Sequence, residues 1–206
     1  MQASTDAFDF DAAEQRRYAA AFERIAGRSH DIEATSSIAV TWIHSPVGPL
    51  VVGASAHALC FLEFSSTAQL DDQFKRLRQH FSSTLAHATT PLLETTHRQL
   101  DEYFAGKRHE FQLPLQFRGS DFQERVWTGL QRIPYGRTSS YGDLARELGD
   151  ANLMRAVGGA NGLNPIAIVI PCHRVVNANG DLGGFGGGRW RKEILLDLER
   201  GQGRMF

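Results

Sequence analysis

The period of the apolar residues changes several times along this chain, and those changes constrain its fold more than any other feature. Ile38, Val40 and Trp42 alternate with small or polar residues, as in a half-buried strand. His44–Pro49 is a turn built on Pro and Gly, and Leu50-Val51-Val52 and Leu59–Phe64 read as further strands of a meander. The period then lengthens: Leu70, Phe74, Leu77 and Phe81 recur at helical spacing. Leu92, Leu93, Thr96, Leu100, Tyr103 and Phe104 do the same behind Pro91, which a first helical turn tolerates. Phe111, Leu113, Leu115 and Phe117 alternate once more. Residues 37–118 are therefore expected to form one α/β (α+β) domain. Residues 1–36 read as a loosely attached extension. It holds one possible helix at Asp11–Ala26, with Tyr18, Phe22 and Ile25 on one face, between flexible flanks at Ser4-Thr5 and Ala34–Ser37.

Beyond the junction Arg118-Gly119-Ser120 the pattern is mainly helical, and residues 119–206 form a second expected domain. Ser120 with Gln123, or Asp121 with Glu124, offers a capping box for a helix carrying Phe122, Val126, Trp127, Leu130 and Ile133. Ser140 with Asp143 opens a second helix, which Gly149 closes, and Leu153–Asn161 makes a third. Two short helices about a Gly-containing turn are the local signature of a helix-turn-helix. Ile166–Ile170 is apolar, uncharged and β-prone, and Pro171 stops it, so Cys172 is expected just past a strand end. A glycine cluster, Gly183–Gly188, precedes a last helix with Trp190, Ile194, Leu195 and Leu198 facing inward.

Composition narrows the class. Apolar residues at 42% and charged residues at 22% suit a soluble globular chain of 206 residues. No apolar run reaches the roughly 18–20 residues that span a bilayer, and Met1–Asp11 lacks a signal peptide's order, so a cytoplasmic protein is expected. Cys60 and Cys172 form no disulfide framework and no zinc spacing. Residues 1–117 carry 10 Lys/Arg against 14 Asp/Glu, whereas residues 118–206 carry 12 against 9, so a polyanion would meet the second half.

Cys172 is the candidate nucleophile. A lone Cys is commonly just a small core residue, and Cys60, inside an apparent strand, reads that way. Cys172 instead sits beside His173 and Arg174, and nearby positive charge favours the reactive thiolate. Neighbours in an extended segment point to opposite sides, so His173 either touches the thiol directly or relays its proton through a bridging water. Glu199, beside the apolar stripe of the last helix, is either a surface charge or the group that orients His173. Arg155 stands before the small run Ala156-Val157-Gly158-Gly159-Ala160. Two helical glycines cost roughly 1 kcal/mol each relative to Ala. Their compensation is close approach to another surface, a second helix or nucleic acid. The glycines at 183–188 form either a flexible loop or a wall over a ligand. No phosphate loop is expected, because no Gly-Lys-Ser/Thr follows.

Taken in order, Ile133-Pro134-Tyr135-Gly136, Ser140-Tyr141-Gly142, Arg155-Ala156-Val157-Gly158, Asn164-Pro165-Ile166, Pro171-Cys172-His173-Arg174-Val175 and Leu182-Gly183-Gly184 resemble the O6-alkylguanine-DNA alkyltransferase family, the methylated-DNA–protein-cysteine methyltransferases. The resemblance covers about residues 38–200 and is densest after Phe122. It implies an N-terminal ribonuclease-H-like α/β domain followed by a winged-helix-like helix-turn-helix DNA-binding domain. It implies direct DNA repair without metal or other cofactor, on double-stranded DNA containing O6-alkylguanine or O4-alkylthymine, by a monomer independent of membranes. The recognition helix would enter the minor groove, with Ser140, Arg155, Ala156, Gly158, Gly159 and Asn161 at the DNA. Arg155 would replace the extruded nucleotide. Cys172 would attack the alkyl carbon once. His173 would take the thiol proton through water, Glu199 would hold the imidazole, and Asn164 would hold the adjoining turn. Tyr141 would donate to guanine O6, while Val175, Phe185 and Gly186 would complete the base pocket.

Three features depart from the family pattern. Phe185 stands where tyrosine is common, Arg137 where an acidic residue is frequent, and residues 1–36 have no counterpart. The zinc site of some relatives would need further cysteines. Two other classes compete. A non-catalytic reader of alkylated DNA would have replaced Cys172, and a Cys–His–Glu hydrolase would leave the helix-turn-helix without purpose.

Overall fold

The computed structural model describes residues 11–26, 37–81 and 84–201. The flanks expected at Ser4-Thr5 and at residues 34–36 lie outside the described residues, and Ser37 already belongs to β1. Four strands form one sheet: β1 (Ser37–Ile43), β2 (Leu50–Ala54), β3 (Leu59–Phe64) and β4 (Thr84–His87), in the order β3-β2-β1-β4. β1 pairs antiparallel with β2 and parallel with β4, and β2 pairs antiparallel with β3. Alternation sends the two faces of the sheet into separate cores. Ile38, Val40, Val51 and Phe61 join α2 (Leu70–Phe81) on one face. Ala39, Ile43, Leu50, Val52, Leu59 and Leu62 join α3 (Pro91–Phe104) and the second half of the chain on the other.

The N-terminal helix, α1 (Ala12–Ala26), is not loosely attached. Tyr18 and Phe22 are fully buried against the first face, with the Phe22 ring edge-on to Phe74 at 5.3 Å. The segment with Phe111–Phe117 is not a strand either. It makes one bridge, Leu115 to Leu59, and its side chains pack on the larger core. A second bridge, Ile166 to Leu62, lies on the same strand. Residues from beyond the sheet thus pair with edge strand β3, which would otherwise offer open hydrogen-bonding groups.

In the second half, α4 (Asp121–Leu130) starts with a complete capping box formed by Ser120 and Gln123. A second box, Ser140 with Asp143, opens α5 (Tyr141–Glu147), and Gly149 follows its end at φ +104°. α6 (Met154–Gly162) comes after a 3-10 turn, Ala151–Leu153. The Trp127 Nε1–H donates to the Ala160 carbonyl at 2.9 Å, which ties α4 to α6. The apolar run Ile166–Ile170 is not a strand. It folds into a tight turn in which the Ile170 N–H donates to the Ile166 carbonyl at 2.9 Å and Ile168 adopts φ +70°. A β-branched residue there is strained by about 1–3 kcal/mol. The run is apolar because the turn is buried: Ile166, Ile168 and Ile170 are inaccessible. Two short parallel strands, β5 (Ser139–Ser140) and β6 (Val175–Val176), and then α7 (Arg189–Glu199) complete the fold. Trp190 is exposed on α7 rather than inward, and its inward positions include Lys192 and Glu199.

Candidate functional site

Cys172 does not follow a strand. It begins a 3-10 turn, Cys172–Arg174, which leads directly into β6. Because β6 pairs with β5, and β5 leads into α5, the pairing brings Tyr141 beside Cys172. Cys172 is 5% exposed, and burial pushes its thiol above the usual range. The Asn164 side chain, the charge of Lys192 and the backbone N–H groups of Cys172 and His173 pull the other way. The resting group is therefore a thiol, and forming the thiolate needs a base.

His173 and Glu199 are brought together from 26 positions apart. His173 Nε2 lies 2.8 Å from Glu199 Oε1, and both side chains are fully buried. Burial lowers the His173 pKa below 6.5, only partly offset by Glu199, so the ring is neutral at physiological pH. The ionised carboxylate accepts the Nε2 proton, which leaves Nδ1 as the acceptor nitrogen. Nδ1 is buried and has no hydrogen-bond partner among the described residues.

Glu199 is held from several directions. Arg174 donates to it from Nε and Nη2 at 2.9 Å each. The Tyr103 hydroxyl donates at 2.8 Å and the Gly136 N–H at 3.1 Å. Burial alone would raise its pKa, but hydrogen bonds from His173 and Arg174 and the charge of Arg174 overcome this and hold it at about 2. Gly136 has φ +71°, and a Cβ there would lie 2.9 Å from the Glu199 carbonyl, so a side chain is excluded twice. Arg174 also donates to the Ile133 carbonyl at 2.6 Å, and its guanidinium lies over the Tyr135 ring. Pattern reading singled out His173 and Glu199 but not Tyr103 or Arg174 as their supports. Tyr103 lies on a helix of the first half, and nothing local indicates its partner.

In front of Cys172 lies a cleft of about 850 Å³. Tyr141, Asn164, Phe185 and Gly186 line it beside Cys172. Burial, and then the adjacent Cys172, raise the Tyr141 pKa, so the phenol stays protonated and able to donate. Asn164 donates to the Ile170 carbonyl at 2.7 Å and accepts from the Ile166 N–H at 3.1 Å, bracing the buried turn. Lys192, also missed from sequence, is fully buried and donates to the Val175 carbonyl at 2.6 Å and to the Leu182 carbonyl. Burial lowers its pKa to about 8 against the pull of Cys172 and Asp181. A signal existed: Lys192 shares the helical spacing of Leu195, Leu196 and Glu199. Lys192 thus occupies the backbone acceptor of Val175 in this state, and the Val175 side chain lies in the core.

α6 presents an exposed face with Arg155, Ala156 and Gly159, and Gly158 is half-buried against the Tyr141 ring. Asn161 does not belong to that face. It is buried, and its Nδ2 donates to the Cys172 carbonyl at 3.3 Å, because the helix turns this position toward the Cys172–Arg174 turn. Ser140 is half-buried and occupied as the cap of α5, donating to Asp143 at 2.6 Å. Among the described residues no group of three or more His, Cys, Asp or Glu is placed to hold a metal, and no helix is long and apolar enough to cross a membrane.

An α/β half joined to a helical half, with a buried Cys–His–Glu set at their meeting, defines the class, and comparisons agree. The model of the 6-O-methylguanine DNA methyltransferase ribonuclease-like domain matches residues 38–117. The model of the DNA-binding domain of the same family matches residues 121–201. The methylated-DNA–protein-cysteine methyltransferase of Mycobacterium tuberculosis H37Rv is 44% identical over 158 residues, covering 77% of this chain and 90% of that protein. The constitutive enzyme of Bacillus subtilis is 39% identical over 161 residues, covering 78% and 94%. The crystal structure of the Mycobacterium tuberculosis protein in complex with DNA superposes with a TM-score of 0.68 at 41% identity, covering 81% of this chain and 94% of that one. This chain belongs to the methylated-DNA–protein-cysteine methyltransferase family, which repairs DNA.

Proposed function

We propose that this protein removes the alkyl group from O6-alkylguanine, and from O4-alkylthymine, in duplex DNA and keeps it on Cys172. One observation carries the reading. His173, the residue after Cys172, is neutral, its Nε2–H is committed to Glu199, and its Nδ1 is a buried base without a hydrogen-bond partner among the described residues.

The damaged nucleotide is flipped from the minor groove, at a cost of a few kcal/mol. The exposed Arg155 fills its place, and the small residues of α6 allow close approach. His173 takes the thiol proton through one water. Sulfur attacks the alkyl carbon, the S–C bond forms and the C–O6 bond breaks. Tyr141 donates to O6 as guanine leaves, and the proton lost by the thiol ends on guanine through solvent exchange. Glu199 stabilises the imidazolium formed on the way. Such proton transfer is typically worth about 10²–10⁴ in rate. The product thioether is a very poor leaving group, so each molecule reacts once. On this reading the protein works as a cytoplasmic monomer without a cofactor.

The test is intact mass after incubation with a duplex holding one O6-methylguanine. The expected gain is one methylene, on Cys172, never exceeding one per chain. Turnover, or transfer to Cys60, would overturn the mechanism. Cys172→Ala is expected to bind DNA and transfer nothing. Arg155→Ala is expected to slow duplex repair more than reaction with free O6-benzylguanine, and equal losses would remove its role in flipping.

A further inference from the structure

The cleft before Cys172 is not built from the second half alone. Phe64, the last residue of β3, lines it together with Tyr141, Cys172 and Phe185. Its ring meets the Phe185 ring edge-on, with centroids 5.6 Å apart and planes at 64°. Such pairs attract beyond the area they bury. A Cβ on Gly187 would lie 2.4 Å from the Phe64 ring, so only glycine lets the Gly183–Gly188 loop approach this closely. Arg191 completes a clamp. Its guanidinium lies over Phe64 at 5.1 Å, and it donates to the Val47 carbonyl of the first half and to the Gly187 carbonyl, each at 2.6 Å.

From this geometry we infer that Phe64, in the ribonuclease-like half, is a positioning and specificity-determining residue for the alkyl group, given the transfer to Cys172 proposed above. Phe185 carries no hydroxyl, and packing is what sets its ring as a wall of the cleft. Phe64 supplies that packing. A methyl group needs little of this wall, whereas a benzyl group lies along it. The first half of the chain therefore governs which substituents react quickly.

The test uses the full-length protein and two rates, with free O6-benzylguanine and with a duplex holding one O6-methylguanine. For Phe64→Ala, the benzyl rate is expected to fall about tenfold, while the methyl rate stays within about threefold, the scale on which apolar pockets discriminate. Phe64→Tyr restores the benzyl rate. Gly187→Ala alone gives the same selective loss, because its methyl displaces the ring. Added to Phe64→Ala it costs little more, since no ring remains to displace. An unchanged benzyl-to-methyl ratio in Phe64→Ala, or equal falls in both rates that Tyr does not rescue, would overturn the inference and leave the transfer reading standing. Failure of the unaltered protein to take methyl from the duplex would overturn that reading, and this one with it.

Discussion

At the residue scale, the proposed chemistry rests on keeping a carboxylate ionised in the interior. A buried charge is tolerated only when paired and hydrogen-bonded, and Glu199 meets both conditions through His173, Arg174, Tyr103 and Gly136. Its depressed pKa has a stability consequence. The unfolded carboxyl titrates near 4.5 and the folded one near 2, so the contribution is complete above pH 4.5 and is lost as pH falls toward 2. The full linkage is on the order of 3 kcal/mol. Glu199→Gln is therefore expected to be less stable near neutrality but to lose less stability than the unaltered protein between pH 4.5 and 2, as read by denaturant unfolding at several pH values. His173 titrates the other way round from a salt-bridged histidine: its folded pKa lies below 6.5, so the neutral base persists as pH falls through 6.5. The rate with free O6-benzylguanine is expected to stay level from about pH 8 to 6.5 and to decline only below it. A decline centred at or above 6.5 would contradict a neutral, buried base.

At the scale of elements, the capping boxes of α4 and α5 were readable because Ser–Gln and Ser–Asp three residues apart satisfy local backbone donors, whatever surrounds them. The run Ile166–Ile170 reads as a strand but folds as a turn, because burial without charge looks the same in both. Asn164 and the left-handed Ile168 decide between them, and neither effect is visible in hydrophobicity. The bond between Trp127 and the Ala160 carbonyl ties α6 of the helix-turn-helix to α4. Trp127→Phe removes one of the two donors to that carbonyl, the other being the Leu163 N–H, at about 0.5–1.5 kcal/mol. A lower unfolding midpoint is expected, with little change in transfer of benzyl from free O6-benzylguanine, because α6 stays near Cys172 through Asn161.

At the scale of the molecule, the two halves share one site. Tyr103 of α3 reaches Glu199 of α7, and Phe64 of β3 reaches the loop that ends at α7. Tyr103→Phe removes one donor from the carboxylate. It is expected to cost about 1–2 kcal/mol and to slow transfer at every alkyl size alike, in contrast to the size-selective effect of Phe64→Ala. The N-terminal helix is equally part of the body. Phe22→Ala, at a fully buried ring, is expected to cost about 3–5 kcal/mol in an unfolding titration. A surface helix would have lost almost nothing.

The sequence by itself determined the helices with their caps, the strands β1 to β3, and the adjacent Cys172 and His173 proposed as nucleophile and base. These follow from spacings of a few residues, where sterics and local hydrogen bonds act without help from the rest of the chain. The tertiary structure alone decided that Asn161 is buried against the Cys172 carbonyl rather than on the exposed face of α6, that α1 covers the sheet, and that Lys192, Arg174 and Tyr103 converge on the site. Those assignments depend on which residue of a distant element satisfies a buried charge or fills a buried face. Burial makes such a partner obligatory without encoding its position in any local pattern.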